Sequence, residues 1–199
     1  MDTMNTSKRI KRLAGVALLT AYAVVLQLIA NYIKFGPVNI TLALIPIVVG
    51  AIIYGPGSGA LIGAIVGAII ITAPDTQLFL SHNAFATIVL CILKTSIAGL
   101  TSGYLFKLIN KRDYRVAVVT STLIVPLVNS GIFFFGCLLF FFPLFGSDTN
   151  QVINGILSVI ITTNFAIEFS INLVLSPTLI YLIRLLDKKY NLEINIKNK

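Results

Sequence analysis

The chain has 199 residues, of which 57% are hydrophobic and 11% charged, with a mean hydropathy of +0.94. That leaves too little polar surface to cover a soluble domain of this size, so lipid must solvate much of the chain. The net charge of +8 does not point to nucleic acid, because every basic residue except Lys34 and Lys94 lies in one of three short segments bordering apolar runs, Lys8 to Arg12, Lys107 to Arg115 and Arg184 to Lys199.

This pattern predicts an all-α, polytopic membrane protein. A spanning helix needs about 20 apolar residues, which leaves room for about six transmembrane helices in a single membrane domain over residues 1–199. The clustering of Lys and Arg puts the N- and C-termini on the cytoplasmic side of the cell membrane. The apolar segment after Arg12 has no small-residue cleavage site before further spans follow, so it reads as a retained helix, not a signal peptide.

The first helix is expected from Leu13 to Ile33, ended by Gly36-Pro37. The second, Leu42 to Ile53, is short for a crossing, which predicts tilt, a kink or shielding by its neighbours. Tyr54-Gly55-Pro56-Gly57 turns the chain into a third helix, Ser58 to Thr72, and a polar connection follows from Ala73 to Asn83. The remaining helices are expected over Ala84–Leu108, Val116–Phe142 and Val152–Leu186, the last kinked at Pro177.

Gly59, Gly63 and Gly67 recur every four residues in the third helix, and Gly99 and Gly103 repeat that step in the fourth. In lipid such spacing lets helix backbones approach closely. Gly57, Gly59 and Gly63 do not form a dinucleotide loop, since the spacing is GxGxxxG and no βαβ setting surrounds it. No GxxxxGKS/T phosphate loop is present either, so any ATP-driven work needs another subunit. Asn39-Ile40-Thr41 matches a glycosylation pattern of a kind frequent by chance. Cys91 and Cys137 lie in apolar runs and read as small hydrophobes.

Polar groups deep in spans are the informative exceptions. Lys94 and Glu168 each need a partner at membrane depth, and the simplest partner for each is the other. Two roles stand for them: a buried ion pair that locates two helices, or a ligand or gating site. Asn164, Glu168 and Asn172 share one helix face as a polar stripe suited to lining a cavity, with Asn129 a candidate to face it. Gln27 and Asn31 form an i, i+4 pair toward the outer surface. His82 has no second His or Cys at ligand spacing and reads as a loop residue, so no metal and no cofactor is expected. Ala17 and Ala21, with Ala14 a turn before, give the first helix a smooth face that can meet another helix, inside the chain or outside it.

Three stretches carry a family resemblance: Asn39–Gly67, NITLALIPIVVGAIIYGPGSGALIGAIVG; Ile92–Tyr104, ILKTSIAGLTSGY; and Pro126–Phe142, PLVNSGIFFFGCLLFFF. With the six expected spans, they resemble the substrate-binding S component of energy-coupling factor (ECF) vitamin transporters. The resemblance implies capture of a vitamin from outside, and assembly with a shared transmembrane coupling subunit and two cytoplasmic ATPases that topple the S component to release its load. Ala17-Leu18-Leu19-Thr20-Ala21 matches the family's AxxxA docking motif. The family's substrate site, in the outer half of the bundle, corresponds here to Asn39, Lys94, Asn129, Asn164 and Glu168.

The second- and fifth-helix stretches are similar to the pantothenate branch. Lys94 suits a carboxylate, and the Asn side chains suit hydroxyls and an amide. Riboflavin and folate are the alternatives, although the chain has no Trp to stack a flat ring. A stand-alone proton-coupled transporter would make Glu168 the proton carrier, but no inverted repeat is evident. An intramembrane enzyme would need clustered nucleophiles or His at one depth, which the sequence lacks.

Overall fold

In the computed structural model, residues 2–32, 41–144, 146, 148, 150, 153–155 and 165–190 are described, with side chains from Arg9 to Lys188. All regular structure among them is helical: α1 Asp2–Tyr32, α2 Leu44–Tyr54, α3 Pro56–Ile70, α4 Thr76–His82, α5 Ala84–Ile109, α6 Tyr114–Phe140, a 3-10 turn Phe142–Leu144, and α7 Ala166–Tyr190. The all-α membrane architecture is therefore as expected. Four helices contain segments long and apolar enough to cross a membrane, Arg9–Tyr32, Ala84–Ile109, Tyr114–Phe140 and Ala166–Lys188.

α2 and α3 have 11 and 15 residues. At 1.5 Å per residue they reach only about 16 and 22 Å, short of a hydrocarbon core about 30 Å thick. α2 is shielded instead, with Leu44 and the run from Pro46 to Ile52 buried against its neighbours. The polar connection after α3 holds an unexpected seven-residue helix, α4. Helix α1 starts well before Leu13, and α6 ends before Phe142, where the 3-10 turn takes over. Of the sixth expected helix, Val152 and the stretch from 156 to 164 lie outside the described residues.

Local chemistry sets the boundaries. Asn83 caps α5 by accepting from Ala86 N at 3.0 Å, and Asp113 caps α6 by accepting from Arg115 N at 2.7 Å and Val116 N at 3.0 Å. Between α2 and α3, Gly55 takes φ +94°, a left-handed conformation that costs glycine little, and Pro56 opens the next helix.

The glycine repeats form one seam between α3 and α5. A Cβ on Gly59 would lie 2.7 Å from the Gly99 carbonyl oxygen, and one on Gly103 would lie 2.6 Å from Pro56 Cα, so the two backbones are in direct contact. Hydroxyls cross the same seam: Thr95 Oγ1 donates to Gly63 O at 2.7 Å and Ser96 Oγ to Ala60 O at 3.1 Å.

The bundle has two unlike ends. At one, Arg12 Nη2 donates to Tyr54 O at 2.6 Å, and the Arg184 guanidinium lies 5.9 Å from the centre of the Tyr114 ring. Arg12 and Arg184, from two of the expected basic segments, thus lie at that end. At the other end, Asn31 meets α3 near Thr72, and α4 packs its Phe79 ring edge-on against Phe141, 5.1 Å between centroids.

Candidate functional site

A cavity of about 50 Å³ opens at the end away from Arg12 and Arg184, and Lys94 is one of its walls. Lys94 is 9% exposed. Its position on α5 follows from helical period: Thr87, Leu90, Cys91 and Lys94 recur at steps of three and four, and all four line the cavity. The Lys94 ammonium sits 4.6 Å from the centre of the Phe133 ring on α6. Phe133 in turn meets Phe79 edge-on at 5.6 Å. The cation is therefore held by the negative face of an aromatic ring, which leaves its N–H donors for a further group.

No hydrogen bond or salt bridge joins Glu168 to Lys94, contrary to the simplest expectation, although the two charges are near enough to attract. It is 2% exposed, and its Oε1 accepts from the backbone N–H of Thr41 at 2.7 Å. Its Oε2 accepts from Asn129 Nδ2 at 3.4 Å, while Asn172 Nδ2 donates to the Glu168 backbone oxygen at 2.8 Å. The physical reason is rotational: similar depth does not give two helices facing side chains. Both reach α6 one turn apart, Lys94 at Phe133 and Glu168 at Asn129, and Glu168 gives its other oxygen to Thr41 before α2. Thr41 lines the cavity, so Glu168 and Asn129 stand behind that wall. Asn172, 2% exposed, shares the buried face of Glu168 as the stripe predicts. Asn164 and Asn39 lie outside the described residues.

Residues 11–180 match the family described as ECF transporter, substrate-specific component. The chain belongs to this family. No curated protein and no solved structure matches it. As an S component it is a substrate-binding membrane subunit of an ECF transporter, a transporter component and not an enzyme, and membership implies a vitamin substrate and work with coupling and ATPase subunits.

The S component carries Ala14, Ala17 and Ala21 exposed on the outer face of α1. Leu18, at 73% exposure, shares that outward face, so the alanine step is not used to pack the bundle. Among the described residues no group of three or more His, Cys, Asp or Glu is placed to hold a metal. His82 ends α4, exposed, with its ring 6.0 Å from that of Phe141.

Sequence reading missed most of the cavity wall: Gln27, Thr41, Thr87, Phe79, Phe133 and Phe141. Two could have been found by period, since Thr87 lies two turns before Lys94 and Phe133 one turn after Asn129. Phe79 and Phe141 could not, because their positions depend on a short helix and a tight turn that no apolar period announces.

Proposed function

We propose that this S component binds a small vitamin carboxylate at the Lys94 cavity, with pantothenate the first choice, and receives it from the outside. What supports this is the state of Lys94: a buried ammonium faces a cavity and a phenyl ring, and among the described residues no carboxylate is bonded to it, although Asp75 lines the same cavity. A ligand carboxylate is the natural partner for such a donor. Glu168 and Asn129 act on the site through Thr41, and Asn39 and Asn164 join them on the family resemblance alone.

The cavity is small beside the 300 Å³ or more typical of ligand sites, so binding requires the rings and Lys94 to separate. The walls suit pantothenate, whose carboxylate, amide, hydroxyls and paired methyl groups need both donors and apolar contact. The lining rings Phe79, Phe133 and Phe141 favour a second reading, riboflavin or folate, whose flat rings could stack there.

Orientation follows from the basic end, which faces the cytoplasm with both termini and leaves the cavity outside. The exposed Ala17 and Ala21 suit docking of α1 against a shared coupling subunit, through which two cytoplasmic ATPases act.

Native mass spectrometry of the gently purified protein tests the reading. A retained mass equal to pantothenate, displaced by added pantothenate, is expected. Retention of riboflavin would select the second reading. Concentrative uptake by the protein alone in liposomes, driven by a proton gradient, would revive the stand-alone transporter.

A further inference from the structure

Gln27 lies on α1, 1% exposed, and lines the same cavity as Lys94. Its side-chain Oε1 is buried and has no hydrogen-bond partner. Which end of the amide faces the cavity is decided by the groups behind it. Gln27 Nε2 donates to Asn31 Oδ1 at 3.0 Å. Asn31 Nδ2 lies 3.5 Å from Ile69 O and 3.4 Å from Thr72 Oγ1.

Ile69 O can only accept. The Thr72 hydroxyl already gives its one hydrogen to Ile69 O at 2.7 Å, so toward Asn31 it too can only accept. Asn31 must therefore turn its NH2 to α3 and its Oδ1 to Gln27. Gln27 must answer with its own NH2, and its carbonyl oxygen is left over. Flipping either amide would set acceptor against acceptor, so the network itself fixes the orientation.

We infer that Gln27 contacts the substrate directly, its Oε1 accepting a hydrogen bond from a hydroxyl or N–H of the bound molecule. This rests on the proposal that the Lys94 cavity is the substrate site, and it narrows the substrate class. Lys94 only donates and Gln27 Oε1 only accepts, so a matching molecule carries an anionic acceptor together with a neutral donor. A simple fatty acid has the first without the second. Buried acceptors are ordinarily paired, and a molecule that leaves this one unpaired is rejected more strongly than one that merely loses apolar contact.

The test measures affinity by calorimetry for pantothenate, riboflavin and folate, together with the melting temperature of the unligated protein. Wild type is compared with Gln27→Met, which keeps length and apolar bulk, and with Asn31→Ala, which frees the Gln27 amide to rotate. Whichever vitamin binds wild type should lose about tenfold or more in Gln27→Met and a smaller factor in Asn31→Ala. The unligated melting temperature of Gln27→Met should fall by only about 2–4 °C and by no more than in Asn31→Ala, since both changes break the Gln27–Asn31 hydrogen bond and the oxygen removed has no partner to lose. Wild-type affinity in Gln27→Met overturns the contact alone and leaves the vitamin reading standing. A variant that fails to fold, or melts far below wild type, assigns Gln27 a structural role and also overturns it, as does Asn31→Ala losing more affinity than Gln27→Met. A wild type that binds none of the three overturns the vitamin reading and this contact with it.

Discussion

Thr95 and Lys94 are neighbours on α5 and live in opposite surroundings. Thr95 faces the seam with α3, fully buried, its hydroxyl bonded across to Gly63 O. Lys94 faces the cavity, its ammonium against the Phe133 ring. Along the seam the glycine backbones touch, leaving no room for another atom. Around the cavity are groups with bonding capacity to spare: the Lys94 ammonium, and the unpartnered Oε1 of Gln27. One face of a single helix thus closes the fold and the other stays open to a small molecule. A binding subunit needs both, since a site keeps its shape only if the frame around it does not yield.

The seam should be the most sensitive part. Gly63→Leu would drive a side chain into the Thr95 backbone, where no flexible group can move aside. Overpacking commonly costs about 1–3 kcal/mol and more when backbone must shift, so little monodisperse protein should survive size-exclusion chromatography. A normal yield with an unchanged melting temperature would show that the seam can part. Small residues on the outside should behave differently. Ala21→Trp on exposed α1 should leave folding and vitamin affinity as in wild type yet abolish co-purification with a coupling subunit. Equal recovery of the complex from both proteins would remove α1 as the docking face.

The seam was legible in the sequence and the cavity largely was not, for a physical reason. Glycines four apart fall on one face whatever the neighbours do, so Gly59, Gly63 and Gly67 announce a close contact by themselves. The apolar runs likewise marked every long helix among the described residues. A cavity is a property of several elements at once: Phe79 arrives on α4, which is polar by composition, and Thr41 arrives at the end of a connection. Lys94 and Glu168 stood out because charge at membrane depth is expensive, and both are indeed buried. Whether they bond to each other was left open, because sequence counting gives depth but not the rotation of one helix against another.

At the cavity, Lys94→Met should lower vitamin affinity by about 2–5 kcal/mol, the range for truncating one partner of a buried charge pair, with the fold retained. Glu168→Gln should not rescue that loss, because the two residues are not each other's partners. Rescue of stability by the second change would restore the ion pair. Glu168→Leu should itself cost about 1–3 kcal/mol of stability, since it strands the Thr41 N–H and the Asn129 amide, whereas Glu168→Gln keeps an acceptor for Thr41 and should cost much less. Equal melting temperatures for the two variants would mean that the acceptor is not what holds Thr41.

Thr95→Val carries the smallest expected effect and most sharply divides the two faces of α5. Valine keeps the branched shape, so packing in the seam is preserved and only the hydroxyl is lost. Interhelical hydrogen bonds in membranes contribute about 0.6 kcal/mol on average, and Gly63 O keeps its place in the α3 backbone ladder when Thr95 Oγ1 is gone. Cys91 O, one turn back on the same helix, lies 3.0 Å from that hydroxyl and is an alternative acceptor for its single hydrogen, so part of the bonding is local and its loss changes little between helices. The variant should therefore melt only slightly below wild type and bind the vitamin with the same affinity, one residue away from the change expected to cost most of it. Because the two side chains share no partner, Lys94→Met and Thr95→Val should combine additively in both stability and affinity. A drop in affinity for Thr95→Val alone, or a coupling above about 0.5 kcal/mol in the double variant, would mean that the seam yields when the cavity fills, and that α3 and α5 move as part of binding.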